Sequence, residues 1–301
     1  MKKVRDYILK GQDIFIGLED SKKKWVLCAR SYGRIVHETT MPADYDNLRN
    51  YFNNRFPDCK INVIYEAGFR GFGLHDDLED DGWNCVVTPP HRVTEEKCNR
   101  KKNDRRDCRR LAKNLENNDY KSCYVPDAEL REDRQLSRVL GQVNSDLVRA
   151  RNRIRRSLEF HGLDANFPSG CWGERMYRGL GAELRRLKIR PTLYRSFELL
   201  LIQLEHLRQM KKEVLKELRE LSKSQRYKEQ VKILRSAPGV GPLTAIRLAL
   251  EWGDMKGRFK RKEEFGSYLG LIPSEYSTGE LDRKGHITKE GNRAVRAWLM
   301  E

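Results

Sequence analysis

The sequence predicts two fold classes in one chain, an α/β unit followed by an all-α remainder. Three observations carry that reading. Short β-rich runs alternate with amphipathic stretches up to residue 88. Two long apolar seams at helical spacing follow, at 136–158 and 193–221. A glycine-rich helix turn at 236–245 then opens a strongly basic stretch. The expected division is 1–125 for the α/β domain, 126–230 for a long-helix coiled-coil region, and 231–301 for a helical C-terminal domain.

In the first third, Asp13-Ile14-Phe15-Ile16-Gly17-Leu18-Glu19 reads as a buried strand ending in an acid. Residues 24–29 and 34–39 read as two more strands, split by a turn at Ser31-Tyr32-Gly33. A helix is expected over 45–56, with Leu48, Tyr51 and Phe52 on one side. Ile61-Asn62-Val63-Ile64-Tyr65 is a fourth strand, and it too ends in an acid, Glu66. A helix near 72–80 and a strand at 83–88 complete a mixed sheet.

The chain has 301 residues, enough for two domains with real cores. Its formal net charge of +16, from 60 basic and 44 acidic residues, calls for a polyanionic partner, nucleic acid before anionic membrane. No apolar run approaches the roughly 20 residues needed to span a bilayer, and the charged start Met1-Lys2-Lys3-Val4-Arg5-Asp6 lacks a signal core. The seven cysteines are scattered and never form a C-x-x-C pair. They suit reduced thiols in a cytoplasmic, nucleoid-associated protein and argue against a zinc ribbon.

The stretch Lys102-Asn103-Asp104-Arg105-Arg106-Asp107-Cys108-Arg109-Arg110-Leu111-Ala112 organises the chemistry. Its two aspartates stand three apart on a helix and so share a face. They lie in a block, 91–113, with ten Lys or Arg against four acids. Taken alone, the pair reads as a solvated helix whose acids pair with neighbouring arginines. In an RNase H-like sheet, however, the strands ending in Glu19 and Glu66 lie side by side, and the following helix brings Asp104 and Asp107 beside them. Four such carboxylates can hold one or two Mg2+ ions against a phosphodiester.

One apolar seam runs Leu136, Leu140, Val143, Leu147, Ala150, Ile154, Leu158, on a helix expected over 131–161. A second runs Leu193, Phe197, Leu200, Leu204, Leu207, Val214, Leu218, Leu221, with Pro191 near its start. They can pair within the chain or offer a coiled coil to a second copy. The flank Arg149, Arg151, Arg153, Arg155, Arg156 is either solvated or follows a phosphate backbone. Phe167-Pro168-Ser169-Gly170 marks the loop between the seams, and 171–187 shows no clear pattern.

Ser236-Ala237-Pro238-Gly239-Val240-Gly241-Pro242-Leu243-Thr244-Ala245 has the form of a helix-hairpin-helix, in which Gly239 and Gly241 let backbone amides approach a phosphate. The basic stretch 256–262 follows and supports backbone binding without base selectivity. Residues 267–293 are rich in hydroxyls, glycines and cations, with too few apolar residues for a core helix. A hydroxyl nucleophile needs an exposed loop and nearby cations, which Arg283, Lys284, Lys289, Arg293 and Arg296 can supply. The other reading is a Ser/Thr turn bound to its own backbone.

Four stretches resemble one known family: Gly17-Leu18-Glu19-Asp20-Ser21-Lys22, Val63-Ile64-Tyr65-Glu66-Ala67-Gly68, Asn84-Cys85-Val86-Val87-Thr88-Pro89 and Lys102-Asn103-Asp104-Arg105-Arg106-Asp107. The segment from Ser267 to Arg293 resembles the same family most closely. These are the DEDD transposases of insertion sequences, RNA-guided bridge recombinases related to pilin-gene invertases, and the likeness covers nearly the full length. The resemblance implies a RuvC-like N-terminal domain with Glu19, Glu66, Asp104 and Asp107 as metal ligands. It implies Mg2+, donor and target DNA, and a structured guide RNA. It also implies a dimer or tetramer assembled through a coiled coil, in which two subunits share each composite site. In the C-terminal transposase domain a loop serine links covalently to DNA.

That serine's place falls on Thr278, next to Ser277. Threonine is β-branched and more crowded. The family's first acid is usually Asp, whereas Glu19 stands here, its extra methylene moving the carboxylate by about 1.5 Å. Asp20 points to the opposite strand face. Arg105, Arg106, Arg109 and Arg110, with the C-terminal cations, are the expected nucleic-acid contacts. Family members usually continue past Trp298-Leu299-Met300-Glu301 through further helices. The function expected is therefore a transposase or site-specific recombinase. A transposase-derived nucleic-acid-binding protein with weakened catalysis is the alternative, and a Holliday-junction-type nuclease is the weaker one.

Overall fold

The computed structural model describes residues 10–90, 103–166, 174–187, 189–276 and 283–300. The chain forms two compact units, Met1–Val125 and Pro126–Glu301.

The first unit is built on a five-stranded sheet of β1 (Asp13–Asp20), β2 (Lys24–Ser31), β3 (Arg34–Pro42), β4 (Lys60–Glu66) and β5 (Asn84–Thr88). Their order is β3-β2-β1-β4-β5. The first three strands are an antiparallel meander, whereas β4 and β5 run parallel to β1. The β2–β3 turn is tight because Tyr32 and Gly33 both adopt positive φ, as such hairpins require. The mixed α/β class expected from the alternation of strands and helices is therefore the one observed.

Period-two alternation assigns the two faces of the sheet. Ile14, Ile16 and Leu18 of β1 and Ile61, Val63 and Tyr65 of β4 form the larger core. That core also takes Leu48 and Phe52 of α1 (Tyr45–Arg55) and Leu74 and Leu78 of α2 (Gly73–Asp80). Residues of the other parity, Gly17 and Ile64, face α3 (Asp104–Glu116), whose Leu111 and Leu115 pack on Ile64. Each fully buried Leu or Ile here contributes about 1.5–3 kcal/mol.

The second unit is helical. Two 33-residue helices, α4 (Ala128–Phe160) and α6 (Pro191–Lys223), carry the two apolar seams. They run antiparallel: Leu130 and Leu140 share a core with Val214 and Leu218, and Ile154 and Leu158 share another with Phe197 and Leu204. The stretch without clear pattern forms α5 (Glu174–Arg186), whose Tyr177, Leu180 and Leu184 close the second of these cores. The loop at 167–170 lies outside the described residues.

Next come α7 (Lys228–Arg235) and α8 (Pro242–Trp252), joined by the Ser236–Gly241 turn, and then the short α9 (Met255–Arg258). Val231 of α7 and Ala245, Ile246, Ala249 and Leu250 of α8 pack with Leu130, Leu140, Val214 and Leu218, so the turn sits on the ends of the long pair. Beyond lie α10 (Lys262–Leu269), the hairpin β6 (Pro273–Glu275) and β7 (Lys284–Ile287), and α11 (Arg293–Met300). The expectation that 267–293 contains no core helix needs correction at its start. Leu269 of α10 is buried with Leu248, Trp252 and Val295, because α10 contributes one apolar residue per turn to a small satellite core. Among the described residues no helix is long and apolar enough to cross a membrane.

Candidate active site

Glu19 and Glu66 reach the same end of neighbouring strands. The parallel pairing of β1 and β4 runs to Leu18 opposite Tyr65, so the next residue on each strand is an acid. Both acids have the parity of Gly17 and Ile64, the face on which α3 lies. The end of β4 is fixed laterally too: Glu66 is in register with Thr88, and the Ala67 N–H donates to the Thr88 carbonyl at 2.8 Å.

Close approach brings α3 to these acids. A Cβ on Gly17 would stand 2.0 Å from the Cys108 carbonyl oxygen and 2.6 Å from the Ala112 nitrogen, so only glycine lets the helix backbone lie this near the strand. Asn103 caps the helix, its side chain accepting from the Arg105 N–H at 3.1 Å. Asp104 and Asp107 then fall in the first turn, where the helix dipole favours negative charge.

Cys108 reports on this neighbourhood. Its thiol donates to the Val26 carbonyl at 3.0 Å. Burial pushes its pKa up, and the charges of Glu19 and Asp104 act in the same direction. Cys28, paired in register with Glu38 of β3, is pushed up to about 12, first by burial and then by that glutamate. Cys28 and Cys108 are thus protonated packing groups. The described cysteines are all free thiols.

The expected residues of the first unit divide by face and partner. Asp20 lies on the opposite face from Glu19. It accepts from the Trp25 indole at 2.8 Å and pairs with Arg70 at 3.1 Å, its side chain only 7 % exposed. Burial raises its pKa, and the Trp25 hydrogen bond and Arg70 oppose the rise. Arg105 and Arg106 are exposed on the first turn of α3. Arg109 is held by Glu38 through two hydrogen bonds, at 2.5 and 2.7 Å, and the same guanidinium keeps the Glu38 carboxyl below its usual range. Arg110 reaches between two of the acids, 3.2 Å from Asp107 and 3.7 Å from Glu66. Its Nε is buried with no hydrogen-bond partner.

Among the described residues, no group of three or more His, Cys, Asp and Glu side chains is close enough to hold a metal ion. The donor set nevertheless suits a hard divalent cation. It is all carboxylate oxygen, and a cationic group is drawn between two of its members, Glu66 and Asp107.

In the second unit Gly239 takes a positive φ of 84° and nothing crowds its Cα, while Gly241 precedes Pro242 at the first position of α8. The amides of the first turn of α8 therefore lack carbonyl partners within the helix. In the basic stretch after α8, Arg258 is committed to structure: it donates to the Glu251 and Trp252 carbonyls and stacks 4.3 Å from the Tyr268 ring. Arg296 is committed likewise, donating to the Leu269 and Lys289 carbonyls. Arg283, Lys284, Lys289 and Arg293 are exposed on or beside the β6–β7 hairpin and at the start of α11. Ser277 and Thr278 fall between β6 and β7 in sequence and lie outside the described residues.

Comparison with known proteins agrees with this architecture. A DEDD transposase family model matches residues 16–162, and the Transposase IS116/IS110/IS902 family model matches residues 231–301. A transposase-like protein of Sinorhizobium fredii, y4qE, is 33% identical over 302 residues, covering 99% of this chain and 72% of its own length. The chain belongs to the IS110 transposase family. The transposase of insertion sequence element IS1533 from Leptospira borgpetersenii is 28% identical, over 66% of this chain and 58% of its own. That of IS1111A from Coxiella burnetii is 24% identical, over 77% and 59%. The chain thus spans between about half and three-quarters of these relatives' lengths. At family level, DEDD transposases are DNA-recombining enzymes that generally depend on a divalent metal.

Proposed function

We propose that this IS110-family protein is a metal-dependent DNA strand-exchange enzyme with a RuvC-like N-terminal unit. The observation that supports it best is the register of β1 with β4, which brings Glu19 and Glu66 to one sheet end under the first turn of α3. In this reading Glu19, Glu66, Asp104 and Asp107 hold Mg2+. An ion held there would supply Lewis-acid stabilisation of negative charge on the phosphate. The residues of this chain do the rest. Gly17 sets the distance of α3 from the strand ends, and exposed Arg105 and Arg106 bind the phosphate backbone.

The hydroxyl of Thr278, or of Ser277 beside it, attacks the phosphorus of the phosphodiester. Its oxygen forms the new P–O ester bond, one existing P–O bond to a sugar oxygen breaks, and the proton given up by the hydroxyl is balanced by the one taken up by that departing sugar oxygen. Arg283, Lys284, Lys289 and Arg293 neutralise the charge that develops there. Gly239 and Gly241 open a helix-hairpin-helix contact to the backbone. The long helices serve assembly into a dimer or tetramer, and a structured RNA encoded by the element pairs with donor and target DNA.

A second reading, a nucleic-acid-binding descendant with weakened strand exchange, is favoured by two features: Glu19 in place of the usual Asp and Thr278 in place of serine. One experiment separates them. The protein is incubated with Mg2+, DNA carrying the element's ends and the flanking RNA, then run on a denaturing gel. An active recombinase leaves a protein–DNA adduct that Thr278→Ala or Ser277→Ala abolishes, and Asp104→Asn with Asp107→Asn prevents it. Retarded DNA without any adduct favours the binder, and junction cutting that tolerates both hydroxyl changes favours a nuclease.

A further inference from the structure

Arg110 differs from the other arginines of α3. Arg109, its neighbour, is tied to Glu38, and Arg105 and Arg106 face outward. Arg110 instead turns toward the sheet end, with one terminal nitrogen 3.2 Å from Asp107 and 3.7 Å from Glu66, two acids from separate elements. Glu66 ends the strand next to that of Glu19, and Asp107 follows Asp104 on the first turn of α3; like charges brought toward one another oppose that approach unless a cation intervenes. The shared terminal nitrogen is what sets Arg110 apart: it serves an acid on its own helix and one on the neighbouring strand at once.

We propose that Arg110 is the internal counter-ion of the acid cluster, holding Glu66 and Asp107 together in the metal-free protein and yielding its place when a divalent cation binds. The inference rests on the metal-site reading above. It adds a competition: the ion must displace a guanidinium, so metal affinity is set partly by Arg110. A protein of this design keeps its acids assembled without metal and loads the ion less tightly than four unopposed carboxylates would.

The test is Mn2+ binding to the full chain, read from the electron paramagnetic resonance signal of the free ion. Arg110→Gln is expected to bind Mn2+ about tenfold more tightly, equivalent to about 1.4 kcal/mol. Its metal-free form should melt earlier than wild type, a gap that saturating Mn2+ closes. Arg110→Lys retains a cation and should fall between the two, and Arg109→Gln should leave Mn2+ affinity unchanged. Arg110→Lys also assigns the Arg110 Nε–H signal in nuclear magnetic resonance spectra of the wild type. That signal should shift on Mg2+ addition while the Arg109 signal stays. Unchanged or weaker Mn2+ binding by Arg110→Gln, or an Arg110 signal blind to Mg2+, overturns the inference alone if Asp104→Asn with Asp107→Asn still removes the ion. Mn2+ binding indifferent to those two aspartates overturns the metal-site reading and the inference with it.

Discussion

Gly17 decides how closely the helix bearing two of the acids can lie on the strand bearing a third. The 2.0 Å that would separate a side-chain carbon at this position from the Cys108 carbonyl is far inside van der Waals contact, and the obstacle is backbone, which cannot rotate away. Gly17→Ala must therefore lift α3 or bend β1, destabilising the first unit by about 1–3 kcal/mol. Hydrogen exchange on the full chain reads this directly: protection should fall across β1 and α3 and stay unchanged in peptides from the second unit. On the proposed metal-site reading, Mn2+ affinity should fall as well, since Asp104 and Asp107 ride on the displaced helix. Equal protection in the variant would mean that the contact relaxes without cost.

At the level of elements, period-two and period-3.6 patterns reveal the five strands, the helices of the first unit and both long helices. In those segments one face is buried and composition must follow burial. The strand-end acids are readable for the same reason, since a charged residue closing an apolar run marks where a sheet edge meets solvent. What stays hidden is relational. Nothing in the sequence tells that Arg109 is spent on Glu38 while Arg110 reaches Glu66, because those partners lie on other strands. The α5 helix escapes a sequence reading although Tyr177, Leu180 and Leu184 carry the spacing, since glycines at 179 and 181 dilute its propensity.

Arg134 is another relational residue. Buried on α4, it donates to the Leu250 carbonyl at 2.5 Å and the Glu251 carbonyl at 3.0 Å, the C-terminal end of α8 where a cation is favourable. Arg134→Met keeps the apolar stem and deletes both charge-assisted bonds, which should destabilise the second unit by about 1.5–3 kcal/mol. Thermal denaturation of the full chain should show the loss, with faster exchange at the end of α8. An unshifted melting curve would make the contact incidental.

For the whole molecule, a net charge of +16 dictates how binding to a polyanion responds to salt. Each phosphate neutralised by a cation releases condensed counter-ions, so log Kobs falls linearly with log salt, by about 0.9 per contact on duplex DNA. Several of the chain's arginines are held by other groups of the protein, as Arg109, Arg134, Arg258 and Arg296 show, so fewer than its 60 basic side chains can each contact a phosphate. Arg283, Lys284, Lys289 and Arg293 are exposed around the hairpin that brackets Ser277 and Thr278 in sequence. Replacing all four by alanine should lower the steepness of the salt dependence by up to about 3.6, in proportion to the phosphates those side chains meet. Affinity should drop alike for unrelated duplexes, because backbone contacts position DNA without reading it. Fluorescence anisotropy on two duplexes of different sequence, across a salt series, measures both quantities. A slope unchanged by the four substitutions would remove the hairpin from the DNA-binding surface, and a loss confined to one duplex would assign it to base reading instead.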